Sequence, residues 1–122
     1  MKNIIYLFAF FLLLSCKNQG KETSKISNKK VISAETGKQL FESNNCVACH
    51  QIVEKVVGPS LQNIAQIYQV KKGNLVSFLK GEAEPIVDPS QYESMKLNLE
   101  ITKTMSDEDL KSLEKYILSQ VK

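Results

Sequence analysis

Apolar and polar positions follow a helical period along most of the chain after residue 32. The pattern is clearest between residues 60 and 70, where apolar side chains recur at i, i+3, i+4 and i+7 and therefore share one helix face. These side chains are Leu61, Ile64, Ala65 and Tyr68. The spacing predicts a helix that begins near Ser60.

A second helix is predicted at the C-terminal end. Ser106 is an N-cap residue, and Asp109 three positions later can bond back to it as in a capping box. The apolar stripe that follows consists of Leu110, Leu113 and Ile117. Its period is helical, so the last segment is the strongest helix signal in the chain.

Two shorter helices complete the prediction. Ser33 is a plausible N-cap for a helix that carries Phe41 and ends near Asn44. Asn74 caps a short helix that stops at Gly81. Residues 82–100 contain two prolines and show weak periodicity, so most of this stretch is predicted to be a loop. With no sustained β-alternation, we expect an all-α fold of three to five short helices.

Candidate chemistry is concentrated in residues 46–50, which read Cys-Val-Ala-Cys-His. Two cysteines two residues apart, with a histidine directly after the second, form the attachment pattern of c-type haem. One helical turn brings Cys46 and Cys49 to the two vinyl groups of a porphyrin, and His50 faces the iron. The pattern therefore predicts one covalently bound haem c, whose volume would complete the core of a domain spanning residues 33–122.

Other readings of the two cysteines fit less well. A zinc site needs four ligands, whereas the chain has three cysteines and one histidine, and Cys16 has another predicted use. A thioredoxin-like dithiol requires a βαβ setting, but the flanking segments are predicted to be helical.

The N-terminal segment resembles a secretory signal. Lys2 precedes an unbroken apolar run over residues 4–14, which is too short for a membrane-spanning helix. Residues 13–16, Leu-Leu-Ser-Cys, resemble the lipobox of bacterial lipoproteins. That resemblance implies a signal peptide over residues 1–15 and a mature chain that is lipid-anchored at Cys16, on the periplasmic side of a bacterial membrane. An ordinary signal peptide or an uncleaved anchor is the alternative.

A polar stretch connects Cys16 to the predicted domain, and residues 16–32 are expected to form a flexible tether. Residues 17–30 carry five lysines and one glutamate, a net charge of +4, whereas residues 31–122 carry ten lysines and twelve acidic residues, a net of −2. Positive charge therefore lies where it can meet anionic lipid. The slightly acidic domain and the lack of arginine argue against nucleic-acid binding.

Two methionines compete for the sixth iron position, because His50 is the chain's single histidine. Met105 precedes the predicted N-cap by one residue and can form a hydrophobic staple with Leu110. Met95 falls in the predicted loop, where no helical stripe explains it. This contrast favours Met95, and Met105 remains the alternative.

Residues from about 34 onward resemble a class I cytochrome c domain, a mono-haem c-type cytochrome. The resemblance rests on Gly37 and Phe41, the Cys-Val-Ala-Cys-His motif, Gly58-Pro59, a loop methionine, and Leu113 with Tyr116 and Ile117. It implies that the first and last helices cross at Gly37 and Tyr116, that the carbonyl of Pro59 bonds the axial histidine, and that a methionine sulfur completes the iron. Met95 departs from the family pattern in its distance from the last helix and in lacking a following proline.

His/Met ligation implies a closed iron and a one-electron carrier that is not an enzyme. Such a carrier meets its redox donor and acceptor in transient contacts. Two alternatives remain open at this point. An open-site haem protein would bind or reduce a small ligand, and a haem subunit would stay permanently in a larger oxidoreductase complex.

Overall fold

Five α-helices and two 3-10 turns make up residues 30–121, the part of the chain that the computed structural model describes. The helices are α1 Ala34–Ser43, α2 Leu61–Lys71, α3 Leu75–Leu79, α4 Tyr92–Thr102 and α5 Asp107–Leu118, and the turns are Cys46–Ala48 and Pro89–Gln91. The prediction of an all-α fold of three to five short helices is confirmed. The predicted signal peptide, Cys16 and the tether up to residue 29 lie outside the described residues.

Four of the helices begin at a side-chain cap, and the sequence predicts three of these caps, at Ser33, Asn74 and Ser106. In each case the cap oxygen accepts a hydrogen bond from the backbone N–H three residues later, at distances of 2.8–3.3 Å. The four cap residues are Ser33, Ser60, Asn74 and Ser106. These bonds satisfy N–H groups that have no partner inside the helix, so local chemistry fixes where α1, α2, α3 and α5 begin.

The first and last helices cross in close contact at Gly37. A Cβ atom at this position would lie 1.9 Å from the carbonyl oxygen of Ser112 and 2.8 Å from the Cβ of Tyr116. Tyr116 also packs against Phe41, with ring centroids 5.5 Å apart. The absence of a side chain at residue 37 therefore lets α1 approach the backbone of α5, as the family resemblance implies.

The core lies between this crossed pair and helices α2 and α3. Its buried members come from four helices: Phe41, Leu61, Ile64, Tyr68, Leu75, Leu79, Leu110, Leu113 and Ile117. Met105 packs against the edge of the same cluster, where a hydrophobic staple at the start of α5 is expected to lie.

The prediction of a loop over most of residues 82–100 is wrong in its second half. Helix α4 begins at Tyr92, so Met95 lies on a helix rather than in a loop. The periodicity is weak because two apolar residues of α4 face solvent, Leu97 with 78% of its surface exposed and Ile101 with 43%. The inner face is completed by Thr102, which is polar and buried.

Candidate haem-binding site

A large apolar cleft opens between the motif segment and helix α4. It encloses about 1270 Å³ when counted out to its open mouth. Phe41, Leu61 and Ile117 form its floor, while His50 and Met95 line its sides. Residues 85–88 also line it. The cleft is thus built from the C-terminal end of α1, from the other four helices, and from residues of the loops that follow α1 and α3.

The two thiols lie on the short turn that follows α1. Asn45, with φ of 58°, turns the chain out of α1 and into the 3-10 turn Cys46–Ala48. The carbonyl of Cys46 then accepts hydrogen bonds from the backbone N–H groups of Cys49 and His50, at 3.2 and 3.0 Å. Both cysteines are free and half-buried at the cleft. Burial raises the pKa of the Cys46 thiol, and the neighbouring Cys49 raises it further, against a backbone hydrogen bond that lowers it.

His50 is held in place by the Gly58-Pro59 turn. Its Nδ1 lies 2.7 Å from the carbonyl oxygen of Pro59. A carbonyl oxygen only accepts, so Nδ1 carries the proton and Nε2 keeps its lone pair for a metal. Gly58 lies flat against the ring: a Cβ there would be 2.4 Å from Cε1 of His50. The backbone N–H of Gly58 also donates to the carbonyl of Cys49 at 2.9 Å.

These residues fit a haem. The imidazole presents a free nitrogen to the cleft, two thiols stand on the same turn, and the floor is apolar. An apolar, water-excluding wall is what a porphyrin face requires, because burying it there removes apolar surface from water. The residues that would hold the group are Cys46 and Cys49 through thioether bonds and His50 through its Nε2.

The two candidate sixth ligands are placed differently. Met95, on the inner face of α4, is half-buried and lines the cleft. Met105 is not part of the cleft lining and packs against the core beside the start of α5. The structure therefore brings Met95 to the cleft together with His50 and leaves Met105 outside it.

Several cleft residues carry no local signal in the sequence. Tyr68 belongs to the apolar stripe of α2, but nothing in that stripe distinguishes a cleft wall from ordinary core. Burial raises the pKa of its phenol to about 12. Phe78 and Ile86 reach the cleft from α3 and from the loop after it. They come together with the motif only because the fold brings α3 and this loop against it.

The predicted signal peptide and lipid anchor lie outside the described residues. Among residues 30–121, no helix combines the length and the apolar character needed to cross a bilayer.

Comparison with known proteins identifies the family. A family model described as cytochrome c matches residues 34–120. The chain is 35% identical over 86 residues to cytochrome c-552 of Nitrosomonas europaea, covering 70% of this chain and 80% of that protein. It is 29% identical over 90 residues to cytochrome c-551 of Pseudomonas aeruginosa, covering 71% and 79%. Together with the motif and the cleft, these matches show that the chain belongs to the cytochrome c family, as a class I mono-haem cytochrome that binds one haem c covalently and carries electrons.

Proposed function

We propose that this protein is a membrane-tethered one-electron carrier whose iron is held between His50 and Met95. The position of Met95 is the observation that supports this ligation. Met95 lines the same cleft as His50, whose Nε2 carries no proton, whereas Met105 does not line it. The carrier exchanges electrons with a donor and an acceptor in transient contacts.

The protein residues set the conditions for this transfer. When bound, haem supplies the reversible one-electron couple of its iron. Pro59 fixes the tautomer and orientation of His50 and raises its basicity as a ligand. The Met95 thioether favours ferrous iron and so raises the reduction potential. Ligation by both His50 and Met95 would leave no iron position open to a substrate, and buried apolar residues such as Leu61 would keep water away from the bound haem.

Visible spectra test the ligation. In exported, haem-loaded protein we expect sharp c-type bands that CO does not move, and a weak far-red band of ferric iron bound to sulfur. Met95→Ala is expected to remove that band, lower the potential and admit CO. Met105→Ala is the matched control and should retain all three properties at a modest cost in stability. The reverse outcome would assign Met105 as the ligand, and a CO shift in the unmodified protein would indicate an open-site haem protein.

The tether is proposed from the sequence of residues 13–30. A mature chain anchored at Cys16 would hold the carrier at the periplasmic face of a bacterial membrane, because several acyl chains anchor a protein stably where one does not. We expect the unmodified protein to fractionate with membranes and a Cys16→Ala variant not to be lipidated. Intact-mass measurement separates the alternatives. An unmodified protein that is cleaved but carries no acyl groups on Cys16 would contradict the lipid anchor. It would leave the proposed haem ligation unaffected.

A further inference from the structure

An ion pair joins two segments that contribute residues to the cleft, the loop after His50 and the segment before α4. The Nζ of Lys55 lies 3.0 Å from Oδ2 of Asp88, across 33 positions of sequence. Lys55 belongs to the loop of residues 51–59, which follows His50. This loop ends at Pro59, whose carbonyl positions the proposed axial histidine. Asp88 lies in the second segment, immediately before the 3-10 turn Pro89–Gln91 that leads into α4. The pair therefore connects the loop that follows His50 to the segment that leads into the helix carrying Met95.

Asp88 is the better-fixed partner of the two. Its Oδ1 accepts a hydrogen bond from the hydroxyl of Ser90 at 2.6 Å, and its carbonyl accepts one from the backbone N–H of Gln91 at 3.1 Å. The side chain of Asp88 is 19% exposed, against 60% for that of Lys55. The hydrogen bonds from Ser90 and then Lys55 hold the pKa of Asp88 below its usual value. The carboxylate is thus a preformed, ionised acceptor for the more exposed lysine.

Helix α4 has its buried residues near its C-terminal end. Leu99 and Thr102 are buried there, and the hydroxyl of Thr102 donates to the carbonyl of Leu79 at 2.6 Å. In the N-terminal half, Met95 is half-buried between exposed neighbours. That half is held by contacts at its start, where Tyr92 packs on Phe78 with ring centroids 6.3 Å apart. Asp88 lies four residues before Tyr92, so its ion pair acts on the less buried end of the helix.

We propose that Lys55 and Asp88 form a latch between the loop after His50 and the segment before α4, which holds the N-terminal half of α4 and Met95 in place. The latch deepens the proposed function and rests on Met95 being the sixth ligand. Lys55 and Asp88 are positioning residues, since neither reaches the iron. The latch slows the release of the methionine thioether, and therefore the entry of competing ligands, and it weakens when salt screens the pair.

Imidazole binding to the ferric, haem-loaded full chain tests the latch. At saturating imidazole the binding rate reaches a limit set by release of Met95. An exposed pair contributes little free energy, so we expect Lys55→Gln to raise this limiting rate about two- to fivefold.

Lys96→Gln is the matched control, because Lys96 pairs with Glu93 within α4 itself and is similarly exposed. This variant should leave the limiting rate unchanged. Asp88→Asn should raise the rate, and adding Lys55→Gln to it should raise it no further.

Salt provides a second readout that a purely structural role would not give. Raising NaCl from about 0.02 to 0.5 M shortens the screening length several-fold. The higher salt concentration should raise the limiting rate of the unmodified protein by the same factor as the Lys55→Gln substitution does. It should hardly change the limiting rate of the Lys55→Gln variant itself. Equal rates for Lys55→Gln and Lys96→Gln, or equal salt effects with and without Lys55, would overturn the latch. Unmodified protein that binds imidazole with no limiting rate, as Met95→Ala is expected to do, would overturn the ligation itself.

Discussion

The orientation of His50 depends on two neighbours whose side chains do not ionise. Pro59 offers a carbonyl 2.7 Å from Nδ1, and proline has no N–H of its own to compete at this turn. Gly58 provides the space that the ring occupies. The Cys-X-X-Cys-His motif supplies the histidine that is proposed as ligand. The direction of its ring is set by Gly58 and Pro59, eight and nine residues later.

Gly58→Ala tests this arrangement. The added Cβ would lie 2.4 Å from Cε1 of His50, so the ring or the turn must move. Overpacking of this kind costs about 1–3 kcal/mol, and here the displaced group is the proposed axial ligand, His50. We expect less haem-loaded protein, a lower free energy of unfolding and a shifted reduction potential, measured by absorbance, denaturant unfolding and redox titration.

Gly81→Ala is the control for this variant. Gly81 has φ of 74°, and a Cβ there would meet the flexible end of Lys103 rather than the cleft. A side chain in left-handed conformation costs about 1–2 kcal/mol, so stability should fall while the potential stays constant. Equal potentials for both variants would show that Gly58 does not position the histidine.

At the scale of elements, α4 differs from the other helices in how it is held. Its N-cap residue, Gln91, makes no side-chain capping bond, and its attachment depends on Thr102. The hydroxyl of Thr102 donates to the carbonyls of Leu79 and Leu99, at 2.6 and 3.1 Å. Leu79 is the last residue of α3, so this bond ties α4 to the rest of the core.

Thr102→Val is expected to weaken this attachment with little change in side-chain volume. It leaves a buried carbonyl without its donor, which costs about 1–3 kcal/mol. We expect a lower free energy of unfolding and faster amide exchange in α4. Thr104→Val is the matched control, because Thr104 is exposed and its hydroxyl bonds only the carbonyl of Ile101. Equal losses for the two variants would contradict the role of the α3–α4 contact.

Helix α4 also marks the limit of what the sequence predicts. Side-chain caps and apolar stripes are local, and they identify α1, α2, α3 and α5 correctly. Helix α4 has no side-chain cap, exposes Leu97, and buries the polar Thr102, so its stability comes from tertiary contacts that no local pattern reports. The site divides in the same way: residues 46–50 are recognised from spacing, whereas Phe78 and Ile86 become cleft residues only through the fold.

Over the whole molecule, the free energy of unfolding depends on pH at both ends of the scale. Ionised carboxylates make it fall at low pH, and the neutral phenol of Tyr68 makes it fall at high pH. Burial raises the pKa of Asp109, but hydrogen bonds from Lys30 and Ser106 outweigh it, so the folded-state pKa lies below 3.8. Lys80 likewise lowers the pKa of Asp107. A lowered folded-state pKa gives stability that is present above about pH 4 and is lost as pH falls through the folded value.

The alkaline side depends on Tyr68, whose pKa burial raises from 10.0 to about 12. The unfolded chain then loses the phenol proton near pH 10 while the folded chain keeps it. The stability linked to Tyr68 is therefore complete below pH 10 and declines up to about pH 12, by at most about 1.4 kcal/mol per pH unit. Tyr68→Phe removes the titrating group and keeps the ring.

Denaturant unfolding of the ferrous protein between pH 7 and 12 measures this difference, with the ferrous state chosen because the proposed methionine ligation would favour it. Lys80 contributes to the alkaline decline of both proteins, because its hydrogen bond to Asp107 raises its pKa in the folded state. The readout is therefore the gap between the two curves. We expect a constant gap below pH 10 and a shift in favour of Tyr68→Phe above it. Parallel curves throughout would mean that the phenol of Tyr68 titrates in the folded protein as it does in the unfolded chain, and that the wall of the cleft does not keep water from it.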